Sequence, residues 1–192
     1  MRIVLTIPTW LREELARPRD PCPDLVERMR FVIALARQNM EHATGGPFAA
    51  AVYEADTGRL VAAGVNRVVP MHCSTAHAEV MALALAQKRL GTFDLGARGL
   101  PRHQLVVSWR PCVLCYGAVL WSGVRSLAIA GSGDAMERLT GFDEGPLHPR
   151  WREELAARGI ELVDNVLPEE AMAVFEEFQR RGALVYNARR EI

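Results

Sequence analysis

The chain has 192 residues, of which 49% are hydrophobic and 24% are charged. These fractions are ordinary for a globular protein, and the length suits one domain, so we expect a single domain over residues 1–192. Lys plus Arg and Asp plus Glu number 23 each, which gives a formal net charge of zero. A chain without excess positive charge attracts a phosphate backbone weakly, which argues against nucleic acid as a partner.

The sequence contains no stretch typical of a signal peptide or a membrane span. The first ten residues hold a short apolar run interrupted by Pro8, without a small-residue cleavage site. The longest apolar stretches fall well below the ~20 residues that cross a bilayer. A chain of this size does not need disulfides to fold. We therefore expect a soluble cytoplasmic protein without a membrane partner, in which Cys112 and Cys115 serve as metal ligands or as a redox pair.

The first predicted elements are an arm and a helix. Residues 1–23 are rich in proline and arginine, which predicts an extended N-terminal arm with at most a short helix over 11–16. Asp24 can cap a helix whose apolar positions recur at 3.6-residue spacing, and this pattern ends near Gly45.

A hairpin and a buried helix follow. The apolar runs 48–53 and 60–65 are separated by a turn-forming segment, which predicts two paired strands. Ser74 or Thr75 can then cap a helix over 76–90. This helix is apolar almost all round, so we expect it to be buried.

Strands and helices alternate in the second half of the chain. The predicted strands are 104–108, 126–130 and 160–163, and the predicted helices are 111–121, 151–157 and 169–180. Residues 131–149 are predicted to form a loop. Alternation of this kind requires crossover connections and favours parallel strand pairing, so the fold class is α/β.

Two short motifs give the strongest chemical signal. His77-Ala78-Glu79 is followed roughly thirty residues later by Pro111-Cys112-Val113-Leu114-Cys115, and we recognise this combination as the signature of zinc deaminases. Each motif lies at a predicted helix start, so His77, Cys112 and Cys115 can together hold one Zn²⁺. Three protein ligands leave the fourth tetrahedral position to a water molecule, as in catalytic zinc sites.

Glu79 is the candidate for proton transfer. It leaves the helix about 200° around from His77, so both side chains can reach one pocket without crowding the same position. A carboxylate there can take a proton from the water and pass it to a departing amine. The alternatives are a redox pair of cysteines and a non-catalytic zinc module. The presence of Glu79, which has no duty in a structural zinc site, argues against the module.

Beyond the metal motifs, the sequence resembles the cytidine and deoxycytidylate deaminase superfamily, and within it the guanine deaminases. The segments that carry the likeness are 45–50, 64–68, 75–80, 90–95, 115–118 and 141–144. The stretch Gly-Phe-Asp-Glu at 141–144 is similar to guanine deaminases in particular. The resemblance implies a cytidine deaminase-like fold, which is a three-layer α/β/α sandwich with a central mixed five-stranded sheet. It also implies one Zn²⁺ per chain and a homodimer.

The resemblance further implies roles for residues around the metal. Asn66 would hydrogen-bond the purine edge, and Phe48 would stack on the ring. Glu144 would be a second acidic residue that binds substrate and assists proton transfer. Residues 182–192 would form a C-terminal lid that closes over a neighbouring active site in the dimer, with Tyr186 in contact with the pocket.

Two more residues are candidates for substrate contact. Ala76 precedes the ligand His77, and Trp121 lies at the end of the helix that carries Cys112 and can line the pocket. One departure from the family concerns Arg110, because guanine and tRNA adenosine deaminases usually have Glu before Pro-Cys. This exchange bears on the surroundings of the metal and on substrate preference.

The expected reaction is the hydrolysis of guanine to xanthine and ammonia. The activated water attacks C2, Glu79 shuttles protons and Glu144 assists. A second carboxylate suits guanine because the edge that carries the amine presents N–H donors. Guanosine, cytosine, cytidine and ammeline are alternative substrates that the sequence separates poorly. A tRNA adenosine deaminase would require a basic face, which a chain of zero net charge does not indicate.

Overall fold

The computed structural model describes residues 4–188 and is built on one mixed five-stranded sheet. The strands are β1 (Ala49–Glu54), β2 (Leu60–Val65), β3 (His103–Val107), β4 (Ser126–Ile129) and β5 (Glu161–Val163). Their order is β2-β1-β3-β4-β5. Strand β1 pairs antiparallel with β2 and β3, whereas β3, β4 and β5 are parallel. The predicted hairpin and the predicted parallel pairing are both confirmed.

Eight helices lie within the described residues. They are α1 (Thr9–Ala16), α2 (Leu25–Glu41), α3 (Val68–Met71), α4 (Ala78–Leu90), α5 (Val113–Ser122), α6 (Ala135–Thr140), α7 (Trp151–Ala157) and α8 (Pro168–Arg180). Asp24 caps α2 as expected, since its Oδ1 accepts a hydrogen bond from the Val26 amide at 2.8 Å. Helix α3 was not predicted, because four residues are too few to display a helical period. Helix α6 corrects the prediction that residues 131–149 form only a loop. Over residues 4–188, none of the helices is both long and apolar enough to cross a bilayer.

The helices cover both faces of the sheet. Buried residues of α1, α2, α6 and α8 form one core with alternate residues of β1, whereas α4, α5 and α7 form a second core on the opposite face. In β1, for example, Ala49 and Ala51 belong to the first core and Ala50 and Val52 to the second. A sheet buried on both faces explains its nearly continuous apolar strands. The expected three-layer α/β/α sandwich is confirmed.

Helix α4 lies unusually close to the sheet. A Cβ atom at Gly64 of β2 would stand 2.5 Å from the Ala82 nitrogen and 2.7 Å from the Ala78 oxygen. Only a residue without a side chain permits this approach, since both neighbours are helix backbone. The glycine therefore sets the depth at which α4, and the residues at its start, sit on the sheet.

We expect Gly64→Ala to lower the free energy of unfolding by about 1–3 kcal/mol, because the new methyl group forces α4 away from β2. Chemical denaturation of both proteins checks this. Gly117→Ala in α5 is the matched control, since a Cβ there meets no atom within 4 Å, and it should be neutral or stabilising by up to about 1 kcal/mol. Equal stabilities of the Gly64→Ala variant and the wild type would contradict the account of close packing.

Candidate metal centre and substrate pocket

Two helix starts on one face of the sheet meet at the site. His77 is the N-cap residue of α4, and Cys112 is the N-cap residue of α5, with Cys115 in the first turn of that helix. The Cys112 sulfur accepts a hydrogen bond from the Cys115 amide at 3.5 Å. Because Cys112 is the cap, α5 begins at Val113 and not at Pro111 as predicted. The correction leaves both sulfurs on the same side of the helix start.

The three predicted ligands are brought together. The ligand atoms of His77, Cys112 and Cys115 all lie within 4.8 Å of one another, and the distance from Cys112 Sγ to His77 Nδ1 is 3.5 Å. Tetrahedral zinc with ordinary Zn–S and Zn–N bonds requires about 3.6 Å between these atoms. Among residues 4–188, no fourth Cys, His, Asp or Glu joins the group. The residues therefore fit a zinc ion with one coordination position left to water.

The two thiols hold their protons unequally. The neighbouring Cys115 thiol, together with the His77 ring, lowers the pKa of Cys112 to about 4 despite its burial. The proximity of Cys112, followed by burial, raises the pKa of Cys115 well above its ordinary value. Without metal, the Cys115 thiol therefore keeps its proton at neutral pH. Zinc binding must displace the proton of Cys115, since a thiolate is the ligand form.

Two carboxyl groups border the metal site. Burial, and then the negative charge of Cys112, raises the pKa of Glu79 to about 7. The same two causes, with a further contribution from Glu79, raise the pKa of Glu144 to about 8. Both groups can therefore exchange protons near neutral pH. The two carboxyls proposed from sequence to act in proton transfer do lie in one site.

The loop that carries Glu144 is held against the start of α5. The amide of Val113 donates a hydrogen bond to the Glu144 carbonyl oxygen at 3.0 Å. The loop follows α6, which Gly141 ends in a left-handed conformation with φ of 79°. These contacts place an acidic residue from a distant part of the chain beside the cysteine ligands.

A small cavity lies between the metal ligands and the carboxyl groups. Its volume is about 20 Å³, which is room for about one water molecule. A wider cleft of about 350 Å³ adjoins it. The cavity is lined by Phe48, Asn66, His77, Ala78, Glu79, Val107, Trp109, Arg110, Cys112, Glu144 and Tyr186. His77, Cys112, Glu144 and Tyr186 line both spaces, so Tyr186 stands at the boundary between them.

Tyr186 occupies the position where a substrate edge was expected. Its hydroxyl accepts a short hydrogen bond from Asn66 Nδ2, and its ring centroid lies 5.1 Å from that of Phe142 and 6.2 Å from that of His77. The side-chain oxygen of Asn66 faces the amides of Gly46 and Val68 at 3.4 and 3.3 Å. The amide nitrogen of Asn66 is thus the group directed at the pocket, and the Tyr186 hydroxyl accepts its hydrogen bond.

The other predicted contacts have different outcomes. Phe48 lines the cavity and also packs on Phe142 and Phe175, so it belongs to the pocket and to the core. Ala76 is fully buried and does not line the cavity. Trp121 is 87% exposed. It lies about 13 Å along the helix axis from Cys112, since it stands nine positions further on. This placement corrects the expectation that Trp121 lines the pocket.

The C-terminal segment lies over the site of its own chain in this single-chain structure. The resemblance had implied closure over a neighbouring site. Residues up to Ala188 are described, and the last four residues of the predicted lid lie outside the described residues.

Sequence reasoning missed Trp109 as a pocket residue, whereas Arg110, which it had associated with the surroundings of the metal, also lines the cavity. Both lie two to three residues beyond the end of β3, and residues at the carboxyl ends of parallel strands commonly line sites in α/β folds, so a signal was available. The Arg110 guanidinium, only 11% exposed, is ion-paired with Glu137 of α6 at 2.5 Å. Its positive charge opposes the rise in the pKa of Glu144.

The comparisons with known proteins show the family. The family model described as the cytidine and deoxycytidylate deaminase zinc-binding region matches residues 24–130. This span is more than half of the chain and contains His77, Glu79, Cys112 and Cys115. The chain belongs to this family of zinc-dependent deaminases.

Particular relatives agree with this assignment. A solved structure of guanine deaminase from Nitrosomonas europaea is 47% identical, covers 93% of this chain and 97% of its own, and has a TM-score of 0.88. A structure of a variant of the protein NE0047 with 8-azaguanine is 47% identical over 93% of this chain and 98% of its own, with a TM-score of 0.88. Guanine deaminase from Bacillus subtilis is 33% identical over 60% of this chain and 69% of its own.

Zinc affinity should fall as the pH is lowered. At neutral pH the Cys115 thiol is protonated, so each zinc ion displaces at least one proton, and affinity should drop about tenfold or more per pH unit. Competition with a chromophoric chelator at about pH 6 and about pH 8 measures this. Glu79→Gln is the control that removes a neighbouring carboxylate without removing a ligand. An affinity independent of pH would contradict the protonation states described for the thiols.

Proposed function

We propose that the protein is a guanine deaminase that converts guanine and water to xanthine and ammonia. The observation that carries the proposal is the cluster of three metal-ligating side chains with Glu79 lining the same small cavity. Family membership supports the reaction class, and the relatives named as guanine deaminases support the substrate. Zinc, when bound, supplies a water molecule whose pKa is lowered to about 7.

Glu79 is proposed to move the protons. Its carboxyl group is buried and has a pKa of about 7, so it can accept a proton from the water and later deliver one to the departing amine. Its position in the first turn of α4, two residues after His77, would keep it beside a metal held by the ligand cluster, of which it is not a member. The rigid helix start limits the geometry of each transfer.

Glu144, Asn66 and Phe48 are proposed to bind the base. Guanine presents N–H donors on the edge that carries the amine, and the Glu144 carboxyl can accept them. With a pKa of about 8, the same group can also deliver a proton to the ring. Asn66 Nδ2 provides a donor for a purine acceptor once Tyr186 has moved away, and Phe48 provides an aromatic surface.

Access of a purine requires movement of Tyr186. The present cavity has room for about one water molecule, whereas small-molecule sites usually enclose about 300–1,000 Å³. Removal of the Tyr186 ring from the boundary would join the cavity to the adjoining cleft of about 350 Å³. Closure by the chain's own C-terminal segment supports a free base in preference to a nucleoside or a tRNA, whose sugar and backbone must pass the same segment.

We expect Glu79→Gln to bind one zinc ion and fold, yet to lose at least about 100-fold in kcat for guanine, because the amide cannot exchange protons. Ammonia release by the zinc-loaded proteins gives the rates, and elemental analysis gives the metal content. The matched control is Glu176→Gln, which changes an exposed glutamate of α8. Full activity of a zinc-loaded Glu79→Gln protein would overturn the proposed mechanism.

We further propose that the enzyme is a cytoplasmic homodimer of purine metabolism. Helix α5 carries no charged residue, yet Val113 and Leu114 are exposed and Trp121 is almost fully so. Phe93, 85% exposed, lies on the loop whose Leu95 amide donates to the Ser122 carbonyl at the helix end. We call the surface formed by Val113, Leu114, Trp121 and Phe93 the α5 face. An uncharged apolar surface suits an isologous contact with a second copy.

The proposed cytoplasmic location has a separate support. The four free cysteines suit a reducing compartment.

Trp121→Lys should produce monomers, because two copies would bring lysines together in a desolvated contact. Light scattering after size exclusion measures the mass in solution. Val4→Lys, which changes an exposed apolar residue of the N-terminal arm, is the control and should leave the mass unchanged. A Trp121→Lys protein that remains dimeric would exclude the α5 face as the contact.

A further inference from the structure

Asn187 connects the C-terminal segment to the loop that carries Glu144. Its Oδ1 accepts a hydrogen bond from the Asp143 amide at 2.9 Å, and its Nδ2 donates one to the Gly141 carbonyl oxygen at 2.7 Å. The side chain is 9% exposed, so both bonds are largely shielded from water. One amide group thus binds the backbone of Asp143 and of Gly141, which lie 44 and 46 residues earlier in the chain.

The loop needs such a partner. Residues 141–148 are neither helix nor strand, so their buried backbone groups must find partners outside a regular ladder. The Asp143 side chain bonds the Gly145 amide at 3.0 Å, which fixes the turn locally. The Glu144 carbonyl accepts from Val113, which fixes one side of the loop. Asn187 fixes the other side, immediately before Glu144.

We propose that Asn187 is a positioning residue that holds Glu144 in the pocket while the C-terminal segment is closed. The proposal rests on the function proposed above for Glu144. Tyr186, the preceding residue, fills the boundary of the cavity, so access of substrate requires the segment to lift. Lifting breaks both bonds of Asn187, and closure restores them. The second carboxyl is therefore set in place only when the pocket is covered, so water is excluded at the same moment.

Hydrogen exchange of the zinc-loaded enzyme without substrate tests the contact itself. In Asn187→Ala, amide exchange in residues 141–146 should be faster than in the wild type, since the Asp143 amide loses its acceptor. Leu184→Ala is the matched control, because Leu184 lies in the same segment, is 43% exposed and, within residues 4–188, makes no hydrogen bond to the loop. Unchanged protection of the loop in Asn187→Ala would overturn the proposal. This result does not depend on the identity of the substrate.

A double-mutant cycle with Glu144→Gln tests the functional consequence. We expect Asn187→Ala to lower kcat/KM for guanine by about 10–100-fold through misplacement of the carboxyl. In the Glu144→Gln background the same substitution should cost little more, because the group that it positions is already neutralised. Equal losses in both backgrounds, with both proteins folded by thermal melting, would show that Asn187 does not act through Glu144. A wild type inactive on guanine but with the expected exchange pattern would count against the proposed function alone.

Discussion

The site depends on the meeting of two helix starts on one face of the sheet. Helix α4 sits directly on β2 because residue 64 is glycine, and α5 follows β3 after a short connection. One end of each helix therefore carries ligands into the same space. Helix N-termini favour negative charge, which supports the thiolate of Cys112. The result is a metal site with three ligands and one open position.

The closeness of the groups at this site also determines the pKa values of the two carboxyl groups. Glu79 is buried and Glu144 is half-buried close to a cysteine thiolate, so their charged forms are disfavoured and their pKa values rise to about 7 and about 8. An exposed glutamate has a pKa of about 4.3 and cannot serve as an acid at neutral pH. Tyr186 completes the enclosure, and Asn187 connects that enclosure to the loop of Glu144. Burial, proton chemistry and closure of the pocket are thus consequences of one arrangement.

The sequence allowed prediction of the parts that have local signals. The metal ligands were predicted from their fixed spacing, the strands from their apolar runs, and the start of α2 from the capping side chain of Asp24. The placement of Trp121 could have been predicted, since the ligands at the start of α5 show which end faces the metal and nine further residues of helix span about 13 Å. Asn187 was also missed, because an isolated asparagine near the end of a chain gives no signal of a contact with residue 143. Such contacts depend on the tertiary path of the chain.

The most direct test of the account is ammonia release by the zinc-loaded wild type with guanine, guanosine, adenine, cytosine, cytidine and ammeline, with identification of the products. The account expects guanine to have the highest kcat/KM and xanthine to form in step with ammonia. Preference for a nucleoside or a pyrimidine would contradict the assignment of Asn66 and Glu144 to a purine base, and no release from any amine would contradict the catalytic interpretation of the metal site.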